Sequence, residues 1–377
     1  MAKLNREKKV LHISKDEKFI DSAYRWSEKN RPSLSKFWII SDTKNLKYIK
    51  ETPCEIYSTK ELLFKACRRK AENYDAVILH NLDLKKIIFV LLCSKKIKFI
   101  WVGLGTDYYK YIYKSREQTL LPLTRIIYKQ NYNEVREKIK QIFYQSFIIK
   151  KAINKITYFA PVVEYEYNLI KNNNKWFKPK FVDFNYGTGK IKNNESLTKN
   201  YNLGDSILIG NSATYENNHL DFFEKIKDYK LVENEIICPL SYGRNEYRDI
   251  ILESGEKYFS NKFNGITEFL KLEDYKAMIA DCSIVVMNHI RQQAVGNIMI
   301  MISMGAKIYL RKENYLFNFF QRSGYKVFAI EDIKDEKDFL RKLTKEEVEH
   351  NKNTMRDLYT IDKFEKKISS FYSTIVE

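Results

Sequence analysis

Ser283-Ile-Val-Val-Met-Asn288-His-Ile-Arg291-Gln-Gln-Ala-Val-Gly296-Asn297 passes from an apolar run, through a polar loop, into an apolar helix. The run reads as a buried strand, and the loop lies at its carboxyl end. The same unit recurs on both sides. Downstream, Ala306–Leu310 and Tyr325–Ala329 are strands, and about 344–375 is a long charged helical region. Upstream, Ser206–Gly210 leads to a helix near 217–229, and Glu235–Pro239 to one near 245–256. Continuous apolar runs alternating with helices predict a doubly wound parallel α/β sheet.

The pattern breaks at 171–206, where Asn172-Asn-Asn, Gly187-Thr-Gly189 and Asn193-Asn194 make a turn-rich stretch. Before it the alternation resumes. Lys9–Ser14, Lys36–Ser41, Glu55–Ser58, Asp75–His80, Lys98–Gly103 and Ile156–Ala160 read as strands, with helices near 16–29, 59–72 and 83–94. The expected division is a first Rossmann-like domain at 1–175, a linker at 176–205, a second such domain at 206–345, and a helical end at 346–377.

A length of 377 residues agrees with two domains. Hydrophobic residues make up 44% and aromatics 14%, which argues against disorder. The longest apolar stretch, Ile87–Cys93, is too short to cross a membrane, and the charged N-terminus has no secretory pattern. Five cysteines without a C-x-x-C pair read as reduced thiols, not a disulfide frame or zinc site.

Lys and Arg number 66 against 48 Asp and Glu, a net charge of +18. The partner is therefore expected to be anionic: nucleic acid, an anionic membrane surface or a phosphorylated small molecule. The excess is concentrated at 110–155, which carries eleven basic and three acidic side chains among aromatic and aliphatic ones. A basic amphipathic segment of this kind suits a membrane interface or RNA. No RNA- or DNA-binding signature accompanies it, so nucleic acid is the less favoured partner.

In such sheets ligands bind beyond the carboxyl ends of the strands. Four strand ends carry candidate residues. Gly210-Asn211-Ser212 could bring backbone amides close to a phosphate, with His219 following; an ordinary turn is the alternative. Tyr242, after Pro239, could border a base or lie on a plain loop. Arg291, Gln292, Gln293, Gly296 and Asn297 combine a guanidinium fork with a helix N-terminus, both suited to phosphate. Asp107, after Gly105-Thr106, is a candidate general base or a helix N-cap. His12 and His80, at strand ends in the same half, are rival bases or packed histidines. There is no D-x-D triplet and no Walker A, GxSxG or HExxH motif.

At these strand ends the chain resembles the family 56 glycosyltransferases, which transfer Fuc4NAc, an acetamido-dideoxy-galactose, to a lipid-linked saccharide. The resemblance rests on Gly210-Asn211-Ser212 with Asn217 and His219, on Pro239 and Tyr242, and on Arg291-Gln292-Gln293 with Gly296. It extends to Glu313-Asn314 and, in the first half, to Trp101, Gly105, Asp107 and Tyr109, running from about 75 to 325. Val102, Leu104, Ser241 and Gly243 depart from the family pattern. The resemblance implies a GT-B fold, two Rossmann-like domains with a cleft between them and a closing C-terminal helix. It implies inverting transfer from a dTDP-activated amino-deoxy sugar, no metal or other cofactor, and an undecaprenyl-diphosphate-linked acceptor in surface polysaccharide synthesis. Gly210, Asn211, Ser212, His219, Tyr242, Arg291, Gln292, Gln293, Gly296, Asn297 and Glu313 would then bind the donor. Segment 110–155 would hold the protein to the inner face of the cytoplasmic membrane. A nucleic-acid-binding protein and a non-catalytic nucleotide-sugar-binding subunit are the alternatives.

Overall fold

The computed structural model describes residues 7–131, 139, 142–184, 186, 202–231 and 234–377. Contacts divide the chain into two units. The first comprises Met1–Lys114, Val135–Gly189 and Ile361–Glu377; the second comprises Ser115–Glu134 and Lys190–Thr360.

The first unit is built on seven parallel strands: β1 (Val10–Ser14), β2 (Ser35–Ile40), β3 (Cys54–Tyr57), β4 (Ala76–His80), β5 (Lys98–Val102), β6 (Ile156–Ala160) and β7 (Lys180–Phe181). Their order is β3-β2-β1-β4-β5-β6-β7. β1 and β4 lie centrally and are buried at every position, as unbroken apolar runs require. The chain reverses its direction of winding between them, so their carboxyl ends flank the switch point.

The second unit repeats the plan with six strands: β8 (Ser206–Ile209), β9 (Ile236–Pro239), β10 (Phe263–Ile266), β11 (Cys282–Met287), β12 (Lys307–Leu310) and β13 (Phe328–Ala329). The order β10-β9-β8-β11-β12-β13 places its switch point between β8 and β11. There Ile207 pairs with Ile284 and Ile209 with Val286, in parallel.

The units do not follow the division expected from chain order. Residues 176–184 are not linker: Phe177, Val182 and Phe184 are buried in the first unit's core, as is Tyr186. The rest of the expected linker, apart from 202–205, lies outside the described residues. The basic segment is divided, and its charges at 136, 138 and 140 also lie outside the described residues. Its portion Ser115–Glu134, including the helix Pro122–Asn131, belongs to the second unit, and the remainder belongs to the first. Asp221 fixes it there, accepting the Leu123 and Thr124 amides at 2.9 and 3.0 Å and the Thr124 hydroxyl at 2.6 Å. These bonds cap the start of the helix, with Pro122 at its first position.

The charged C-terminal region is two helices, Lys345–Leu358 and Ile361–Val376. Thr344 and Glu347 form a capping box at the first. The second inserts Ile368, Phe371, Tyr372 and Ile375 into the core that covers Val10, Phe37 and Ile78. Among the described residues no helix is long and apolar enough to cross a membrane.

Candidate active site

The second unit's switch point gathers most of the candidate residues. After β8 the chain turns at Gly210, whose φ is +70°. A Cβ there would strike His219 Nε2 and lie 2.8 Å from Asn217 Oδ1, so only glycine fits. The amide of Asn211 then donates to Asn217 Oδ1 at 2.8 Å. Asn217 Nδ2 donates to Ser212 Oγ, Thr214 Oγ1 and the Thr214 carbonyl at 2.9–3.2 Å, closing the turn.

Asn218 adopts a left-handed conformation that Asn tolerates, with φ 50°. Its side chain accepts the Leu121 amide at 2.8 Å and donates to the carbonyls of Thr119, Glu216 and Asn288. His219 starts the helix His219–Ile226 and is fully buried beside the Tyr247 hydroxyl. Burial pulls its pKa down to about 3, so the ring is neutral, and its Nε2 has no hydrogen-bond partner among the described residues.

The loop after β11 interlocks with this turn. Asn288 Nδ2 donates to the Asn218 carbonyl at 2.9 Å, returning the bond that Asn218 makes to it. His289 Nε2 lies 2.9 Å from Asn217 Oδ1. Gln293 Nε2 donates to Asn211 Oδ1 at 2.9 Å, and Asn211 Nδ2 donates to the Tyr242 hydroxyl at 2.8 Å. Gln293 Oε1 is buried and without a partner among the described residues. Asn314 donates to the carbonyls of His289 and Arg291 and caps its own helix through the Leu316 amide. The loop is thus fixed on both sides before Ala294, at φ 60°, opens the helix Val295–Met304.

Arg291 and Gln292 are both buried. Arg291 Nη2 lies 4.0 Å from Glu216 Oε1. Glu216 in turn takes a bidentate pair from Arg116, both bonds 2.7 Å. On the helix, the side of Gly296 where a Cβ would stand has no atom within 4 Å. Asn297 points to the Tyr275 hydroxyl at 3.1 Å. Glu313 stands apart from the network, exposed and paired with Arg311 at 2.7 Å; only Arg311 reaches in, to Asn288 Oδ1 at 3.3 Å.

Gly243, a departure from the family pattern, has a steric reason. At φ +131° it packs against the Ala213 carbonyl, where a Cβ would collide. The flanking bonds Ala213 N to Tyr242 O and Arg244 N to Ala213 O, both 2.8 Å, fasten the Tyr242 loop to the Gly210 loop.

In the first unit the three candidate bases are otherwise employed. Asp107 Oδ2 accepts the Leu82 amide and Trp101 Nε1 at 2.8 and 2.7 Å, and Oδ1 accepts the Leu104 amide at 2.9 Å. Oδ2 ties the loop after β5 to the end of β4, and Oδ1 closes that loop on itself. His12 and His80 face each other at 2.9 Å inside the core, and Tyr186 closes the other side of His80. His12 is also stacked on Phe37. Burial lowers both imidazoles, His12 to about 3, so they are neutral core groups. The packed-histidine reading describes His12 and His80 better than the base reading, because their ring nitrogens already have partners; Asp107 holds a loop and does not cap the short helix Tyr109–Tyr111.

Sequence reading missed three groups. Arg116 and Glu216 are 100 residues apart, and no local pattern joins them. Glu17 follows β1 at the carboxyl edge of the first sheet and is half-buried. Its carboxylate makes no hydrogen bond among the described residues. Burial raises its pKa against the pull of Lys86 and Lys15. Lys86 itself is fully buried, donates to Asn81 Oδ1 at 3.0 Å, and is lowered to about 8 by burial. Only its position after a strand could have pointed to Glu17.

Comparison with known structures identifies the fold. The chain is similar to Anabaena HepE in complex with UDP and glucose, at 8% identity and TM-score 0.62 over 98% of this chain and 100% of that one. It is similar to a glycosyltransferase from Rickettsia africae, at 13% identity and TM-score 0.60 over 99% of both chains. It is also similar to sucrose-phosphate synthase from Thermosynechococcus elongatus, at 8% identity and TM-score 0.65 over 98% and 99%. With two parallel-sheet α/β units, the protein has the GT-B fold. Residues 184–356 match the family described as 4-alpha-L-fucosyltransferase, glycosyl transferase group 56. That match, together with the fold, makes the protein a glycosyltransferase.

Proposed function

We propose that this enzyme moves an amino-deoxy sugar from a nucleoside-diphosphate donor of the dTDP type to a lipid-linked saccharide, with inversion and without a metal. The observation that carries the reading is the β8–β11 switch point. There a buried Arg291, the Gln293–Asn211–Tyr242 chain of hydrogen bonds and the start of the helix Val295–Met304 belong to one interlocked set of loops. The guanidinium and the helix amides would bind the diphosphate and stabilise the charge that grows on it as the sugar leaves. Tyr242 would border the base. HepE, similar in fold, has been solved with UDP and glucose, which supports a nucleotide-sugar donor.

On the first unit, Glu17 is the carboxylate best suited to take the acceptor hydroxyl's proton, since its oxygens are not committed to the fold. The same unit exposes Ile142, Phe143, Phe147 and Ile148 next to Lys150 and Lys151. Apolar side chains with lysines beside them fit an anionic lipid surface, where a lipid-linked acceptor would reside.

The test is thermal stabilisation by dTDP, UDP, GDP, ADP and CDP, with Arg291→Lys in parallel. A selective shift with one of them, weakened in the variant, supports the donor assignment. No shift with any of them refutes it.

A further inference from the structure

Arg116 and Glu216 make a bidentate ion pair in the second unit. The guanidinium meets both carboxylate oxygens at 2.7 Å, and the carboxylate is almost wholly enclosed. A buried carboxylate this well held would be complete with one arginine. Yet Arg291 Nη2 also lies 4.0 Å from Oε1, the oxygen that Arg116 Nε already holds. The backbone on each side is fixed as well. Glu216 lies in the turn Tyr215–Asn217, next to Asn218, whose side chain gathers the carbonyls of Thr119, Glu216 and Asn288. Arg116 also lies over the Tyr128 ring, which is set edge-on to Tyr215.

Resting on the reading that Arg291 meets the donor's diphosphate, we infer that Glu216 is the positioning residue for Arg291, and that Arg116 supplies the charge that keeps Glu216 anchored. One carboxylate between two guanidiniums leaves a net single positive charge for the donor. It also holds Arg291 in place before the donor arrives, so little ordering is left to occur on binding. The segment beginning at Ser115 is then part of the donor site, although its sequence reads as part of the basic, membrane-type stretch.

The state of Glu216 supports this. Despite burial, the two arginines hold its carboxyl down at about 2, so it stays charged at any working pH. The charged or titratable groups around it are Arg116 from the Ser115 segment, and Arg291 and His289 from the loop after β11. Without Arg116, burial would push the carboxyl up, and its hold on Arg291 would become pH-dependent.

The experiment is calorimetric titration with the nucleoside diphosphate that stabilises the wild type most, on Glu216→Gln, Arg116→Gln and Arg291→Lys. Loss of an orienting partner predicts affinity about ten- to a hundredfold weaker in each of the first two variants. In the Arg291→Lys background, adding Glu216→Gln should cost little more. The Kd of Arg116→Gln relative to wild type should rise as pH falls from 7.5 to 5.5, and the nucleotide's own titration cancels in that ratio. Should the glutamine variants not fold, Glu216→Asp and Arg116→Lys keep the charges, change the geometry, and are expected to lose affinity too. Variants with a lower Tm but wild-type affinity at every pH overturn the inference and leave the donor assignment standing. A wild type that binds none of the nucleotides overturns both.

Discussion

His289 Nε2 and Asn217 Oδ1 lie 2.9 Å apart, and the same oxygen accepts the Asn211 amide at 2.8 Å. The oxygen cannot donate, so Nε2 carries the hydrogen and the buried Nδ1 is bare. The side-chain amide of Asn217 thus sets the tautomer of a neutral histidine and the path of the chain after Gly210. Asn217→Asp would place an oxygen where Nδ2 now donates to the Thr214 carbonyl at 3.2 Å. We expect it to cost about 1–3 kcal/mol of stability, as for an unsatisfied buried polar group. Urea unfolding measures this, and an unchanged midpoint would rule out the tautomer argument.

Arg291→Ala should lower the transfer rate by about two to three powers of ten, the size of a lost donor to a developing anion. A chelator should leave the wild-type rate where it is. Initial rates with the preferred sugar nucleotide test both, and a rate that collapses in EDTA would contradict the metal-free reading.

The two glycines of the proposed donor site should behave oppositely. Gly210→Ala meets His219 and Asn217 and sits at φ +70°, so it should destabilise the fold. Gly296→Ala meets no protein atom, and in a helix it should gain up to about 1 kcal/mol. If the diphosphate lies against that helix start, the more stable Gly296→Ala protein will bind nucleotide more weakly. Equal affinity would move the phosphate elsewhere.

Glu17→Gln should lower kcat with little change in the KM of the donor. The base acts only when ionised, and burial raises its pKa above the ordinary glutamate value. The wild-type rate should therefore fall as pH drops through that raised pKa, earlier than an exposed glutamate would allow. The pH–rate profile of the residual activity in Glu17→Gln should lack this limb; a limb that persists assigns the base to another group.

Phe147→Glu together with Ile148→Glu should reduce sedimentation with vesicles containing phosphatidylglycerol while leaving nucleotide affinity intact. Phe147 is 79% exposed and Ile148 59%, so the fold has little to lose. Unchanged vesicle binding would remove this surface from the membrane reading.

Strands such as Cys282–Met287 could be read from the sequence because parallel strands covered on both faces are apolar throughout. Phe263–Ile266 could not: it is an edge strand, half-buried at every position, and its Asn and Gly break the run. The loops at Gly210 and Arg291 were legible because glycine, arginine and glutamine after a buried strand have few structural uses. Arg116 was not. Its partner is distant in the chain, and its neighbours gave it the character of a membrane segment. Asp107 misled because a carboxylate at a strand end looks the same in sequence whether it holds a loop or meets a substrate.

Neither unit is a continuous piece of chain. Ser115–Glu134 is translated amid the first unit and belongs to the second; Ile361–Glu377 is translated after the second unit and belongs to the first. A gene cut once between the two sheets would therefore yield two incomplete products, each missing a piece encoded in the other. An exchange of whole halves with another chain of the same plan would have to carry these two segments with it. On the ribosome, the first sheet must wait for Ile361–Glu377 before its core is closed.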